Sequence, residues 1–453
     1  MIHFARFRAF PALLILGLLA GPAFADWPQW RGPDGNGVAP DANPPVTWGE
    51  EKNILYKVEI PGQGHASPVV AGDRLYLLSA VDADEPAAET EEEEPAEGRR
   101  RRGVAPDREL HFKVFALDRT TGETVWERTA ITTRPHEGTH TDGSWAAASA
   151  VTDGDRVWAF FGSRGIYAYS HAGELLWKKQ LGEMTTRNAF GEGATPILAG
   201  NTLVIPWDHE GDSFAVALDA STGAERWRVT RDEPTSWSTP HVVEVTGKPQ
   251  VVLNGTGRVR AYDLESGKVV WEVGGMTVNA IPSPVSADGL LYVMSGFRGN
   301  MLKAVRLAGA EGDITGKEAV VWTYDKDTPY VPSPVLYNGI LYFLKHNGGI
   351  LTALDADSGK VHYGPVRVEG IEGVYASLVA ADGRVYVTGR NGAVTVLAAG
   401  PEMKTLAVNS LEDAFNASPA LVGGTLYLRG RSHLYAIAES EEDRKKPSAP
   451  GAR

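Results

Sequence analysis

Alternating apolar and polar positions flank a turn that recurs along the chain. The phrase Ala-x-Asp-x-x-Thr/Ser-Gly-x-x-x-Trp occurs over residues 116–126 (ALDRTTGETVW), 217–227 (ALDASTGAERW) and 261–271 (AYDLESGKVVW), with looser copies over 168–177, 304–322 and 353–363. The 304–322 copy carries an insertion. Asp and Gly supply a tight turn, and the period-2 alternation on either side is that of half-buried strands, so each copy reads as a hairpin. The repeat positions are Asp118, Gly122 and Trp126, Trp177, Asp219, Gly223 and Trp227, Asp263, Gly267 and Trp271, Trp322, and Asp355 and Gly359. Their regular spacing makes these tryptophans wedges between neighbouring units, core residues and not ligand platforms.

A second phrase precedes each hairpin. Ser67-Pro68, Thr195-Pro196, Thr239-Pro240, Ser283-Pro284, Ser333-Pro334 and Ser418-Pro419 each lead into strand, turn and strand, and Ser149 and Ser377 fill the same slot without proline. The resulting starts are spaced 82, 46, 44, 44, 50, 44 and 41 residues apart. All but the first interval match a four-stranded propeller blade. The excess falls over residues 82–102, an acidic run followed by Arg99 to Arg102 with almost nothing to bury, expected to be a disordered loop within an insertion spanning 82–109. The last unit stops after three strands, while an unmatched strand, 53–60 (NILYKVEI), lies ahead of the first. Pairing the two leaves no free sheet edge. The expected fold is therefore all-β, an eight-bladed β-propeller over residues 53–438 closed by an N-terminal strand, with an N-terminal extension at 26–52 and a frayed tail at 439–453.

Composition narrows the class. Of 453 residues 43% are hydrophobic and 22% charged, as in a soluble protein with a large core. A net charge of −13 argues against nucleic-acid binding, which needs a basic surface. Arg6 and Arg8, the apolar run from Ala12 to Ala20 and Ala23-Phe24-Ala25 read as a signal peptide over residues 1–25, giving a periplasmic or secreted protein with no membrane anchor. With no cysteine in the chain, disulfides, an acylated cysteine and thiolate metal sites are excluded.

The Asp/Thr-Gly/Trp phrase resembles the repeat of the pyrroloquinoline quinone dehydrogenases and of the outer-membrane assembly lipoprotein that shares their propeller. The opening Trp27-Pro28-Gln29-Trp30-Arg31-Gly32-Pro33 is similar to that of an exported, planctomycete-type group of propeller-repeat proteins. The resemblance implies the quinoprotein propeller. Known quinone-dependent members carry adjacent cysteines over the cofactor and hold calcium with Glu, Asn and Asp; this chain has no cysteine and offers no matching motif for that triad.

Strand parity sorts the loops. Tight turns fall on one face, whereas the opposite face receives the links between blades and the loops between second and third strands, where binding residues gather on rigid scaffolds. The ligand-binding candidates there are His136, His140, Arg187, Asn188, Glu192, Trp237, Asn279, Arg298, Asn300 and Tyr330, and the same loops also carry His65, Asp142, Asp208, His209, Glu210, His346, Asn347, Arg390 and Asn391. The string His136-Glu137-Gly138-Thr139-His140 has the letters of a zinc-protease motif, but Pro135, Gly138 and the surrounding threonines deny it the helix that motif requires, and no metal site is expected. Arg187 with Glu192 reads either as a donor and acceptor pair for a polar ligand or as an internal ion pair. The expected function is a non-catalytic binding or scaffold propeller, a monomer taking a protein or small molecule on its loop-rich face with no cofactor. The alternative is a pyrroloquinoline-quinone dehydrogenase using calcium without the usual cysteine pair.

Overall fold

The computed structural model describes residues 26–83, 106 and 108–440. Residues 1–25, read above as a signal peptide, most of the 82–109 insertion and the tail beyond residue 440 lie outside the described residues.

Among the described residues eight sheets are arranged as blades of four antiparallel strands, in chain order in all but the last, and the fourth blade gains a fifth, parallel strand. The innermost strands begin at Val69, Val151, Ile197, His241, Val285, Val335, Val379 and Ala420, just after the eight Ser/Thr positions. In the last blade the fourth strand is Ile54–Glu59, antiparallel to His433–Ala438. The ring is closed by the N-terminal strand, as the sequence pattern predicts, because that pairing satisfies the backbone groups an open edge would leave exposed.

The repeat phrase has a direct physical reading. The side chains of Asp118, Asp219, Asp263 and Asp355 accept hydrogen bonds from amides two or three residues on. Gly122, Gly223, Gly267 and Gly359 then take φ of 76°, 70°, 69° and 68°, a region that favours glycine. The glycine also leaves room for the neighbouring blade. Trp126 lies over Gly173, Trp177 over Gly223, Trp227 over Gly267 and Trp322 over Gly359. Each indole N–H donates to a carbonyl of the next blade, those of His171, Ala220, Leu264 and Ala356 respectively. Tyr56 of the closing strand does the same over Gly122, its hydroxyl donating to Arg119 O. Trp271 departs from the expected wedge: its indole donates to Gln250 within its own blade. The next blade has the 304–322 insertion in place of the glycine turn, and Gly312–Asp313 from it adds a fifth, parallel strand beside Trp271 and Glu272, sealing the indole at 0% exposure.

The N-terminal extension makes a circuit of the tight-turn face and touches the blades in order. Trp27 exchanges both backbone hydrogen bonds with Val70, Pro28 O accepts from Thr152, and the Gln29 side chain accepts from Leu198. Gly35 packs against His241. The Asn36 amide exchanges two bonds with Ser286, Arg31 reaches Pro334 O, Gly37 and Ala39 bracket Ala380, and Asn43 meets Gly423. Arg31 is 1% exposed and donates to the Gly35, Asn36 and Pro334 carbonyls, and burial lowers its pKa to about 9. The WPQWRGP segment is thus a strap across one end of the channel.

Candidate functional site

The Ser/Thr positions that begin the blades form a closed girdle. Ser67 N–H donates to Ser149 Oγ (2.9 Å), Ser149 to Thr195 (3.0 Å), Thr195 to Thr239 (3.1 Å) and Thr239 to Ser283 (2.9 Å). Ser283 donates to Ser333, Ser333 to Ser377, Ser377 to Ser418, and Ser418 back to Ser67, each at 2.9 Å. Proline after six of them holds the preceding residue extended, which aims each amide around the ring. Ser149 and Ser377 manage without it because their neighbours impose the same geometry.

Strand alternation then fixes what faces the channel. The residue two positions before each girdle member is His65, Ala147, Gly193, Trp237, Ile281, Val331, Tyr375 or Asn416, and all of them line one cavity of about 250 Å³ above the girdle. Trp30 of the strap lines the same cavity from below. The ring is lopsided. Trp237, Ile281 and Val331 make an apolar arc, and Tyr375, Asn416 and His65 a polar one.

Over the polar arc sits a hydrogen-bonded network. Arg390 Nη2 donates to Asp142 Oδ1 at 2.6 Å and Arg390 Nε to Asn416 Oδ1 at 3.1 Å. Tyr375 donates to Asp142 Oδ2 at 3.1 Å, and Asn416 Nδ2 lies 3.2 Å from His65 Nε2. Burial pushes the Asp142 carboxyl up, but the Arg390 hydrogen bond and charge, then Tyr375 and His140, outweigh it and leave the pKa below the ordinary carboxylate range. His65 is lowered to about 4, chiefly by burial and then by Arg429 and Arg390. The cavity mouth therefore holds a neutral imidazole beside an ion pair.

The predicted site residues divide. His140, Glu192, Trp237 and Tyr330 line the cavity. Arg187 and Asn279 adjoin it, Arg187 Nη1 donating to Asn279 Oδ1 at 3.1 Å and Asn279 Nδ2 to the Tyr330 hydroxyl at 3.4 Å. Tyr330 also stacks on Phe297. The internal Arg187–Glu192 pair does not form: Glu192 accepts from Ser163 and pairs with Arg164 at 3.2 Å, because Arg164 is held beside it by the second blade. His136 bonds Met184 O at 2.8 Å and so anchors its loop outside the cavity. Asn188 is exposed at φ 56°, Arg298 is exposed over Phe297, and Asn300 accepts from the Thr328 amide. The His136–His140 string is irregular loop, with Glu137 accepting from the Thr186 amide and hydroxyl. Among the described residues no group of three or more His, Cys, Asp or Glu could hold a metal ion.

Trp30, Tyr375, Asn416 and Arg429 are absent from the sequence-derived candidates. Tyr375 and Asn416 were nonetheless legible: each stands two residues before a girdle serine, in the slot that Trp237 and His65 also occupy. Trp30 carried no such signal, since nothing in the sequence says that the strap enters the channel.

The family model described as outer membrane protein assembly factor BamB matches residues 41–205, 110–274 and 211–446. The chain belongs to this family. Solved structures extend the likeness at the level of fold. BamB from Moraxella catarrhalis is 12% identical with a TM-score of 0.54, covering 86% of this chain and 97% of that one. A europium-containing methanol dehydrogenase is 10% identical with a TM-score of 0.63, covering 91% and 98%. The quinohemoprotein alcohol dehydrogenase from Comamonas testosteroni is 12% identical with a TM-score of 0.60, covering 94% and 82%. No curated protein matches the sequence. This BamB-family propeller thus shares its architecture with an assembly factor and with dehydrogenases alike, and the difference between those roles has to be sought in the channel. Among its described residues no helix is long and apolar enough to cross a membrane.

Proposed function

We propose that this BamB-family chain is an exported, non-catalytic binding or scaffold propeller whose loop-rich face receives a small amphiphilic ligand in the channel mouth. The observation that carries this reading is the lopsided ring above the girdle. An aromatic floor at Trp30 and an apolar arc at Trp237, Ile281 and Val331 suit a flat or cyclic molecule, and His65, Tyr375 and Asn416 offer hydrogen bonds to one edge. The carboxylates lining the cavity are already engaged, Asp142 with Arg390 and Glu192 with Arg164.

The alternative is a calcium-held quinone in the same channel mouth. Trp30 would serve as a stacking floor, but the donor set does not fit the metal: Asp142 and Glu192 lie in separate arginine pairs, and no cluster of three potential ligands stands among the described residues.

Calorimetric titration of the purified protein with pyrroloquinoline quinone, with and without calcium, tests both readings. A dye-linked alcohol oxidation assay and the Trp30→Ala variant complete the test. Absence of alcohol-dependent dye reduction, with any binding lost in Trp30→Ala, supports a binding propeller. Calcium-dependent binding with turnover refutes it.

A further inference from the structure

A second cavity of about 360 Å³ opens on the loop-rich face, where the seventh, eighth and first blades meet. Its wall includes Arg390, Arg429, Arg431, His65 and Asn416, with Asp142 as the one carboxylate. Asp142 is already the partner of Arg390.

Arg429, at the end of the strand Thr425–Arg429, is 1% exposed, and only its Nε is used, donating to Gly430 O at 3.1 Å. Both terminal nitrogens have no hydrogen-bond partner among the described residues. The nearby Asp413 does not meet them. Its oxygens take the amides of Ala414, Arg431 and His433 and the Tyr435 hydroxyl. A buried guanidinium with two idle donors is a costly arrangement unless an acceptor completes it, and its planar pair of terminal nitrogens matches the two oxygens of a carboxylate or phosphate.

We propose that this cavity is a binding site for a small oxyanion, a carboxylate or a phosphate, received by the Arg429 guanidinium with Asn416 and His65 at its side. This cavity adjoins the channel mouth and shares His65, Asp142, Gly143 and Asn416 with it, but Arg429, the group that carries the inference, lines this cavity and not the channel. The charge around His65 agrees with it. Burial and the cations Arg429, Arg390 and Arg431 hold the imidazole neutral, against a single opposing charge at Asp142.

The test is calorimetric titration of the purified protein in a chloride buffer with succinate and with inorganic phosphate, beside Arg429→Met and Arg429→Lys. Saturable binding with a Kd below about 1 mM is expected for at least one probe. Arg429→Met should weaken it at least about tenfold, and Arg429→Lys, which keeps the charge but loses the fork, by less. Binding of succinate alone, phosphate alone or both in competition identifies the oxyanion class. No saturable binding of either probe, or equal binding by Arg429→Met, overturns the proposal. Should Arg429→Met fail to fold, NMR titration of the His65 ring in the unaltered protein decides: its pKa rises on adding the bound probe if the oxyanion sits beside it, and an unmoved value overturns the site.

Discussion

Ser283 shows what one hydroxyl does here. It accepts the buried Thr239 amide at 2.9 Å, so Ser283→Ala strands that N–H without a partner. The expected loss is about 1–3 kcal/mol in urea unfolding, and Ser283→Thr should recover most of it, since Thr195 and Thr239 already serve in the same slot. A loss no greater than for an exposed serine would mean the girdle is incidental. His241, like His65, contributes to the acid limb of stability. It is buried with Nε2 2.8 Å from Ser286 Oγ, and burial, then Arg31, lowers its pKa from 6.5 to about 4. Below pH 6.5 the unfolded chain takes up a proton that the folded chain refuses. Stability from this group is therefore present above pH 6.5 and is lost as pH falls toward 4, by roughly 2–3 kcal/mol. His241→Gln should make that limb shallower in urea titrations at stepped pH, with the His65 share remaining; an unchanged slope assigns the acid sensitivity elsewhere.

At the scale of the blade, the hairpin glycines separate two costs. Gly200 and Gly223 both have positive φ, 56° and 70°, but a Cβ at Gly200 meets open space whereas one at Gly223 would lie 2.7 Å from the Trp177 ring. Gly200→Ala should cost about 1 kcal/mol from backbone strain alone. Gly223→Ala should cost roughly 2–4 kcal/mol, because the neighbouring indole must also move. Equal destabilisation in thermal or urea unfolding would deny the tryptophan its role between blades. The fourth blade is the instructive exception, since the sequence phrase around Trp271 is intact while the docking partner is replaced by Gly312–Asp313. A repeat phrase fixes the hairpin that contains it, but the wedge depends on the turn supplied by the next blade.

For the molecule as a whole, the segment before residue 61 performs two tasks: the strap spans the tight-turn end of the channel, and Ile54–Glu59 completes the last sheet. A chain beginning at residue 61 should leave the His433–Ala438 edge unpaired and bare the surface now covered by Trp27 and Trp48. Loss of the cooperative unfolding transition, with oligomers seen by light scattering, is the expected result. A monomer with an unchanged urea midpoint would show that ring closure does not need it.

The eight starts, the Asp-Gly hairpins and the closing strand were set by the sequence itself, because period-2 alternation, turn chemistry and repeat spacing are local properties that survive without a partner. Even the lining of the channel was legible in part, two residues ahead of each girdle hydroxyl. Tertiary structure alone decided the rest. It brought Asp142 to Arg390, 248 residues away, turned Glu192 from Arg187 to Arg164, and left the Arg429 fork without a hydrogen-bond partner among the described residues. It also placed Trp30 as a floor beneath a ring built from residues 65 to 418. Such contacts join different blades, so their partners are fixed by how the ring closes in space and by no pattern within a single repeat.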